Sequence, residues 1–348
     1  MKDVKLSEYK PKSELEVKEH NIEKPKFPVI NFHTHFWSKN WEEVDEDEVK
    51  NKINNHKKFG VNGIINLGSF WGKSLEGILD LTSDYRDWIT VFGSVDVTKV
   101  ADNDFQNYAS SVIEKGYKKG MRGLKFYKEF GLRYRDNEGN LLKIDDKRFK
   151  PIWATAAKLD IPVLIHVADP KAFFKPLDGF NERFEELVQY PHWHFVGDEF
   201  PTFTELIEMM ENLISNNRDT TFIIPHAGCY SENLAFVSDL LDRYSNMYID
   251  ISARINELGR QPYTARNFLI DYQDRIVFGT DGTENSLLYP YYYRFLETWD
   301  EYFDYGPGNN RWKIYGVGLP DEVLRKIYYE NALKLVPSLK KMIPEKYL

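Results

Sequence analysis

Two histidines near the start of the chain, His33 and His35, form the first pattern that could support chemistry. They lie in NFHTHF (residues 31–36), directly after the apolar residues 28–30. Alternate residues of an extended strand point to the same side. Both imidazoles would therefore face one side of a strand, which suits two ligands of a single metal ion. Two ordinary strand histidines give the same pattern, so the metal prediction depends on further ligands elsewhere in the chain.

The elements that must position such ligands follow a regular alternation. Apolar segments predict strands at residues 28–33, 61–69, 88–96, 120–127, 161–168, 221–228, 246–252 and 274–282, and a helical pattern follows each of them. Eight strand–helix units predict an α/β protein with a (β/α)8 TIM barrel. The alternative, an open doubly wound sheet, needs a glycine-rich phosphate loop after its first strand, and the sequence has none there.

The barrel is predicted to span residues 28–348, after an N-terminal extended arm of residues 1–27 that is charged and interrupted by prolines. Two long βα-loop insertions, residues 170–202 and 287–319, are rich in aromatic residues. Both follow strands, so both should rise over the mouth of the barrel. With Trp37 they predict an aromatic-walled pocket for a flat or ring-bearing substrate; the alternative is that these aromatic residues pack the loops against the barrel or a neighbouring subunit.

A TIM barrel gathers its chemistry at the C-terminal ends of its strands. Reading only those ends selects seven residues: His33, His35, Lys125, His166, His226, Asp250 and Asp281. Four of the eight histidines in the chain are in this set. Neutral imidazoles and one carboxylate are the ligands of a catalytic zinc-type ion that keeps a position open for water. Such an ion lowers the pKa of its water to roughly 7.

The segments that carry these residues resemble the amidohydrolase superfamily. PVINFHTHF, GLKFY, IPVLIHVAD, TFIIPHAG, DRIVFGTDG and ENALKLV are similar to its amidohydrolase-related branch, which includes lactonase-type hydrolases and non-oxidative decarboxylases of the aminocarboxymuconate-semialdehyde and resorcylate type. The resemblance covers about residues 28–337. It implies one divalent metal ion, most often zinc with manganese as the alternative, bound by His33, His35, His166 and Asp281. It further implies that Asp281 accepts a proton, and that His226 positions water or polarises the substrate carbonyl.

Four other residues have less determined roles. Lys125 is predicted to be a cation at the site, available to a substrate carboxylate or oxyanion; in some superfamily members a strand-4 lysine is carboxylated instead. Asp250 and Arg254, four residues apart, are candidates for substrate binding because arginine recognises carboxylates through two parallel hydrogen bonds. A structural ion pair is the alternative for these two. Trp37 is a candidate for the pocket wall.

Composition narrows the class of protein. The 348 residues carry a formal net charge of -8 and no basic run with interleaved aromatic residues, so a nucleic-acid partner is not expected. The absence of an apolar run of 18 residues predicts no membrane span. The single cysteine, Cys229, excludes an intramolecular disulfide bond. The N-terminal segment has no apolar core of a signal peptide, so a cytoplasmic location is expected. The expected partners are a small-molecule substrate and a second copy of the chain in a homodimer.

Three hypotheses of function follow. The leading one is a metal-dependent hydrolase that acts on an ester, lactone or amide of a small cyclic or carboxylated molecule. The main alternative is a metal-dependent non-oxidative decarboxylase of an aromatic or muconate-like acid, which would use the same ligands. The third is a barrel that binds metal without catalysis.

Overall fold

The computed structural model describes residues 3–5, 8–37, 41–282, 286–306 and 312–348. Eight parallel strands form one sheet in the order of the chain. Their bounds are β1 Val29–Thr34, β2 Val61–Phe70, β3 Ile89–Gly93, β4 Leu124–Phe126, β5 Val163–Ile165, β6 Phe222–Ile224, β7 Met247–Asp250 and β8 Ile276–Val277. This topology confirms the predicted (β/α)8 barrel.

The first and last strands are joined by hydrogen bonds beyond the short strand β8. Phe32 N donates to Phe278 O over 2.8 Å, Asp281 N donates to His33 O over 2.9 Å, and His35 N donates to Gly282 O over 3.0 Å. Two of these bonds join the segment that carries Asp281 to the backbone of the histidine pair. Closure of the barrel therefore places the most distant predicted ligands next to each other.

A helix follows each strand and covers the outside of the barrel. These helices are Glu46–Lys57, Gly72–Leu81, Phe105–Lys119, Lys150–Lys158, Phe203–Asn216, Leu234–Arg243, Pro262–Asp271 and Asp321–Arg325, the last extended by a π-helical turn, Lys326–Glu330, and by Asn331–Leu335. Shorter helices or helical turns lie in the loops at Glu129–Leu132, Phe184–Gln189, Pro225–Gly228, Ile255–Arg260 and Tyr289–Glu297. The described helices include none that is long and apolar enough to cross a membrane.

Local sequence explains where these helices begin. Asp45 caps the helix Glu46–Lys57 by accepting a hydrogen bond from Glu48 N at 2.8 Å. That helix is acidic in its first turn and basic in its last, which suits the helix dipole. Thr202 and Glu205 cap the helix Phe203–Asn216 reciprocally.

Most strands are shorter than the apolar pattern predicts, and they are shortened mainly at the C-terminal end. Strand β5 ends at Ile165, β6 at Ile224 and β8 at Val277, whereas the apolar patterns continue to residues 168, 228 and 282. The residues beyond these ends lie in irregular turns instead of sheet, and all of them except Asp281 are buried. His166, His226 and Asp281 therefore lie on loops just past the strands, which is where barrels place functional residues.

The N-terminal arm lies across the outside of the barrel without forming a helix or strand in residues 8–27. His20 anchors it: its backbone N and its Nδ1 donate to the Asp300 carboxylate over 2.7 and 2.5 Å. Asp300 is buried and also accepts a hydrogen bond from Arg294 Nε at 2.7 Å. Further towards the N-terminus, Tyr9 and Lys10 reach the cavity at the barrel mouth.

Candidate metal centre

Three ligand atoms from β1 and from the loop after β8 converge at the mouth of the barrel. His33 Nε2 lies 3.1 Å from His35 Nε2 and 3.3 Å from Asp281 Oδ1, and His35 Nε2 lies 2.8 Å from the same oxygen. Ligands bound tetrahedrally at roughly 2.0 Å from an ion are about 3.3 Å apart. The separations between these three atoms are thus close to those of one coordination shell.

The hydrogen bonds of the other ring nitrogens determine which atoms of the two histidines are free to bind a cation. His33 Nδ1 donates to Asp250 Oδ2 over 2.7 Å, and His35 Nδ1 donates to Leu67 O over 2.9 Å. In the neutral imidazoles both Nε2 atoms are then acceptors. Two nitrogen lone pairs and a carboxylate oxygen converge with no hydrogen between them, and this donor set fits a divalent cation.

The charges around the site also reflect this convergence. Burial and Lys125 would lower the pKa of His33, but Asp250 and Asp281 outweigh them, and the pKa is raised above its ordinary value. Burial lowers the pKa of His35. Burial would raise the pKa of Asp281, yet His33 and His35 hold it well below its usual range. Asp281 is therefore a carboxylate, as a ligand must be.

A second group of interacting residues, Asp250, Ser252 and His226, lies directly behind His33. Asp250 Oδ1 accepts hydrogen bonds from His226 N at 2.9 Å, from Ser252 N at 2.9 Å and from Ser252 Oγ at 2.6 Å. His226 Nδ1 donates to Ser252 O over 2.9 Å. Asp250 thus holds the His33 ring from one oxygen and the turn that carries His226 from the other.

The backbone at the barrel mouth is held in unusual conformations. Among the described non-glycine residues with positive φ, most lie at or just after the C-terminal ends of strands: Trp37, Ser69, His226, Ala227, Cys229, Ala253 and Asp281. His226 and Asp281 both have φ of 59°. Each such residue costs of order 1–3 kcal/mol and persists only where its surroundings hold it. The hydrogen bonds that His226 N donates to Asp250 and that Asp281 N donates to the His33 carbonyl supply that support.

Lys125 points into the centre of the barrel from β4. It is fully buried, and its Nζ has no hydrogen-bond partner in the described structure. Burial lowers its pKa to about 8, opposed by Asp281 and Asp250. Its Nζ lies 5.0 Å from the ring centre of Tyr127, whose hydroxyl is 2.8 Å from His35 Nδ1. A buried donor without a partner is costly, so an anionic group beside Lys125 would stabilise it.

His166 lies beside this centre but does not join its ligand cluster. The groups of described residues whose ligand atoms lie within 4.8 Å of one another are His33, His35 and Asp281, and His33, His226 and Asp250. His166 instead places Nε2 at 3.2 Å from Asp169 Oδ1, and its ring centre is 4.4 Å from that of His226. Burial lowers the pKa of His166 to about 4 despite Asp169. Asp169 in turn forms a short ion pair with Lys128.

A cavity of about 1220 Å³ opens above these residues, and His166, His226 and Asp281 line its floor. Arg254 lines its wall; the structure shows one hydrogen bond of this guanidinium, from Nη1 to Ala253 O at 2.7 Å. Aromatic residues from both insertions also line the cavity: Phe173, Tyr190, Trp193, Tyr292, Tyr305 and Trp312. Other aromatic residues of the insertions, including Tyr289 and Tyr293, are buried against Phe278. The insertions thus supply both pocket wall and core.

Trp37, the remaining candidate for the pocket wall, lies elsewhere. Its Nε1 donates to Glu48 Oε1 over 2.9 Å, and its ring packs on Phe36. The described residues that line the cavity do not include it. Trp37 lies two residues after His35 and has a positive φ of 56°. Proximity in sequence to a ligand was therefore a poor guide to the position of this side chain.

Three residues of the centre were not selected from the sequence: Asn31, Tyr127 and Ser252. Asn31 Oδ1 accepts a hydrogen bond from His33 N at 3.2 Å, and the Tyr127 and Ser252 hydroxyls contact His35 and Asp250. Each lies two residues from a selected position. The alternation of side chains along a strand, which linked His33 to His35, would therefore have selected all three.

Comparison with known proteins identifies the family of the chain and agrees with the barrel fold. The family model for amidohydrolases matches residues 30–337. A comparison with curated proteins found no match. Among solved structures, a 2,6-dihydroxybenzoate decarboxylase complexed with 2,6-dihydroxybenzoate is similar with a TM-score of 0.55 and 14% identity, covering 89% of this chain and 98% of that one.

Two further structures are similar to the same extent. The 5-carboxyvanillate decarboxylase of Sphingomonas paucimobilis has a TM-score of 0.56 at 10% identity, covering 90% of this chain and 99% of its own. The 4-oxalomesaconate hydratase of Rhodopseudomonas palustris has a TM-score of 0.54 at 13% identity, covering 89% and 96%. At these identities the likeness shows a shared fold. The family match extends over most of the chain, and the protein is therefore an enzyme of the amidohydrolase family.

Proposed function

We propose that this enzyme uses one divalent ion, zinc or alternatively manganese, to hydrolyse an ester, lactone or amide bond of a small molecule that carries a carboxylate. The observation that carries the proposal is the position of Asp281. Its Oδ1 lies at both histidine Nε2 atoms, and the same side chain is 30% exposed and lines the cavity. A carboxylate in this position can contact both a bound metal ion and a substrate in the cavity.

The residues present fit the ion in charge as well as in donor type. Asp250, Asp281 and Lys125 leave one net negative charge at the buried centre, which a divalent ion converts into one positive charge. Arg254 adds a second positive charge at the wall of the cavity. The loaded site therefore favours an anionic substrate. The ion, when bound, would lower the pKa of water and polarise a carbonyl oxygen.

Two side chains at the centre are assigned the proton transfer and the orientation of the substrate. Asp281 accepts the proton that the attacking water loses and passes it to the leaving group. His226 uses its Nδ1 hydrogen on Ser252 O, which leaves Nε2 as an acceptor in the neutral ring. His226 is therefore suited to orient a water or substrate hydroxyl. Its expected alternative role, polarising a carbonyl by donating a hydrogen bond, would need a protonated ring.

Lys125 and Arg254 are the candidates for binding the negatively charged groups of the substrate. Arg254 can offer a pair of parallel N–H groups to a carboxylate from the wall of the cavity. Lys125 lies deeper, and its unpartnered ammonium supports an oxyanion or carboxylate that reaches the floor. His166, Asp169 and Lys128 also line the cavity. His166 is the fourth ligand that the family resemblance implies. Its ring would reach the ion if it moved away from Asp169.

Decarboxylation is the second candidate reaction, and the lining of the cavity favours it as well. Trp193 and Tyr292 can hold a flat ring, while the same positive charges can hold the carboxylate that is lost. Two solved structures of similar fold bear the names of decarboxylases of hydroxylated benzoates. In this reaction Asp281 would deliver a proton to the ring carbon.

One experiment separates the candidates. Protein loaded with zinc or manganese is incubated with a panel of lactones and esters and, separately, with hydroxybenzoates, while acid release and carbon dioxide are both measured. Acid release without carbon dioxide supports hydrolysis, and carbon dioxide without consumption of water supports the decarboxylase. A protein that binds the ion and turns over neither panel would contradict both proposals and support the barrel that binds metal without catalysis.

Substitutions test the ligand assignment within the same assay. His33→Ala should abolish metal uptake and turnover, because it removes the ligand that Asp250 holds in place. His192→Ala is the matched control, because it removes a histidine that lies in the insertion and not among the predicted ligands. The hydrogen bond that Arg133 Nη2 donates to residue 192 ends on the backbone carbonyl, which alanine keeps. Full metal content in His33→Ala, or a loss in His192→Ala, would contradict the assignment.

A further inference from the structure

A second cavity lies at the other end of the barrel, away from the metal centre. It has a volume of about 520 Å³ and is bounded by residues 24–28, by the beginnings of β2 and β3, and by residues 341–347. The metal centre lies at the C-terminal ends of the same strands. The two sites are therefore separated by the length of the barrel, and neither residue set contributes to the other.

The charge of this cavity has the opposite sign to the charge of the whole chain. Five lysines line it, Lys24, Lys26, Lys57, Lys341 and Lys346, against one carboxylate, Asp87. The chain as a whole has a formal net charge of -8. Lys26 forms an ion pair with Asp321 at 3.2 Å. Within the described residues, the other four lysines have no carboxylate at ion-pair distance, so their charges are left for a ligand or for solvent ions.

Two arginines behind the cavity increase this potential. Burial lowers the pKa of Lys341, and the guanidinium groups of Arg122 and Arg86 lower it further, whereas Asp87 opposes the shift. The positive groups thus outnumber the single carboxylate. An anion placed between the lysines would stabilise their charged forms.

The walls of the cavity have a fixed shape. Phe27 and Tyr347 pack edge to face with their ring centres 6.5 Å apart, and Asn62 Oδ1 accepts a hydrogen bond from Val29 N at 3.2 Å. Pro25 lies so close to Gly60 that a Cβ on Gly60 would come within 2.6 Å of the proline ring. These contacts hold residues 24–28 against the barrel, so the lysines surround a preformed concave space.

We propose that this cavity binds a small soluble ligand that carries a phosphate group, and a diphosphate above all. Ammonium groups recognise phosphate as point charges from several directions, which matches lysines contributed by separate segments. The volume lies within the range of small-molecule sites, about 300–1,000 Å³. Lysines from three separate segments can contact a soluble phosphate compound from several sides, whereas a membrane presents its headgroups from one side. The site is independent of the proposed reaction at the metal centre.

The test uses inorganic pyrophosphate and inorganic phosphate as probes in isothermal titration calorimetry of the full, metal-loaded chain. The double variant Lys57→Gln/Lys341→Gln removes two charges from the cavity. The matched control, Lys73→Gln/Lys150→Gln, removes two exposed lysines at the starts of helices on the opposite end of the barrel. All four lysines are exposed, so both variants should fold like the parent protein.

We expect pyrophosphate to bind more tightly than phosphate, with an affinity that falls as salt is added. The cavity variant should bind at least tenfold more weakly, and the control should bind like the parent protein. No binding to the parent protein would overturn the proposal. Equal binding by all three proteins would overturn it too, because it would indicate removal of the metal by the probe or binding elsewhere.

A second arm distinguishes the source of the phosphate. The protein is mixed with phosphatidylcholine vesicles with and without a phosphoinositide. Binding to the phosphoinositide vesicles, lost in the cavity variant and unaccompanied by pyrophosphate binding, would replace the soluble ligand with a membrane headgroup and so overturn the proposal. Both arms use binding alone, so their outcome does not depend on whether the proposed hydrolysis is correct.

Discussion

Replacing Asp250 with asparagine should weaken metal binding without changing a single ligand. Asp250 Oδ1 accepts three hydrogen bonds, from His226 N, Ser252 N and Ser252 Oγ, and Oδ2 accepts one from His33 Nδ1. An asparagine keeps the three bonds only if its oxygen replaces Oδ1. Its NH₂ group then faces His33 Nδ1, and two donors meet.

The tautomer of His33 determines the size of the effect. To accept from the asparagine, His33 must carry its hydrogen on Nε2, where it points at His35 Nε2 and Asp281 Oδ1, 3.1 and 3.3 Å away. The ion can bind only after this tautomer is reversed and the hydrogen bond to Nδ1 is lost. Removal of such a supporting carboxylate costs 10–100-fold in metal affinity, or about 1.4–2.7 kcal/mol.

Competition between the protein and a chromogenic chelator for zinc measures this change. Asp300→Asn is the matched control, because Asp300 is also buried and also accepts from a histidine, His20, but far from the centre. We expect the control to lower the free energy of unfolding and to leave zinc affinity unchanged. Zinc affinity of Asp250→Asn within twofold of the parent protein would refute the reasoning about the tautomer.

Three further predictions rest on other contacts. Gly279→Ala should lower zinc affinity at least tenfold in the same competition assay, because a Cβ at Gly279 would lie 2.8 Å from the Cβ of His33. Burial lowers the pKa of His56 from 6.5 to about 4. The unfolded chain therefore binds an extra proton below about pH 6.5, and the unfolding free energy should fall as the pH drops towards 4, by up to about 3 kcal/mol. Urea unfolding should show a shallower pH dependence for His56→Gln. Arg254→Met should raise KM for a carboxylate substrate at least tenfold with a smaller change in kcat, as steady-state kinetics would show; an unchanged KM would exclude a carboxylate contact.

The sequence was sufficient to predict the barrel and the residues brought to its mouth, because both follow from strand periodicity. Few folds other than the barrel accommodate eight repeats of an apolar strand and an amphipathic helix. Parallel strands then bring their C-terminal ends together. His33, His226, Asp250 and Asp281 could be selected for this reason alone, although they are far apart in the chain. The cytoplasmic location, the homodimer and the identity of the metal stay predictions.

Contacts between loops could not be predicted in the same way. Asp250 and Arg254 suggested a pair by their spacing, but the Asp250 carboxylate contacts His33 on β1 and His226 in the loop after β6. The pairing of His166 with Asp169, and the position of the Trp37 side chain, depend on backbone torsions beyond the strand ends. Neither periodicity nor composition determines such torsions, since they arise from tertiary hydrogen bonds.

We propose that His33, His35 and Asp281 together bind the catalytic ion. Crystals grown with zinc and measured on both sides of the zinc absorption edge test this claim most directly. We predict one anomalous peak within bonding distance of His33 Nε2, His35 Nε2 and an Asp281 carboxylate oxygen. No peak at this position, or a single peak elsewhere on the chain, would show that these three residues are not the metal ligands.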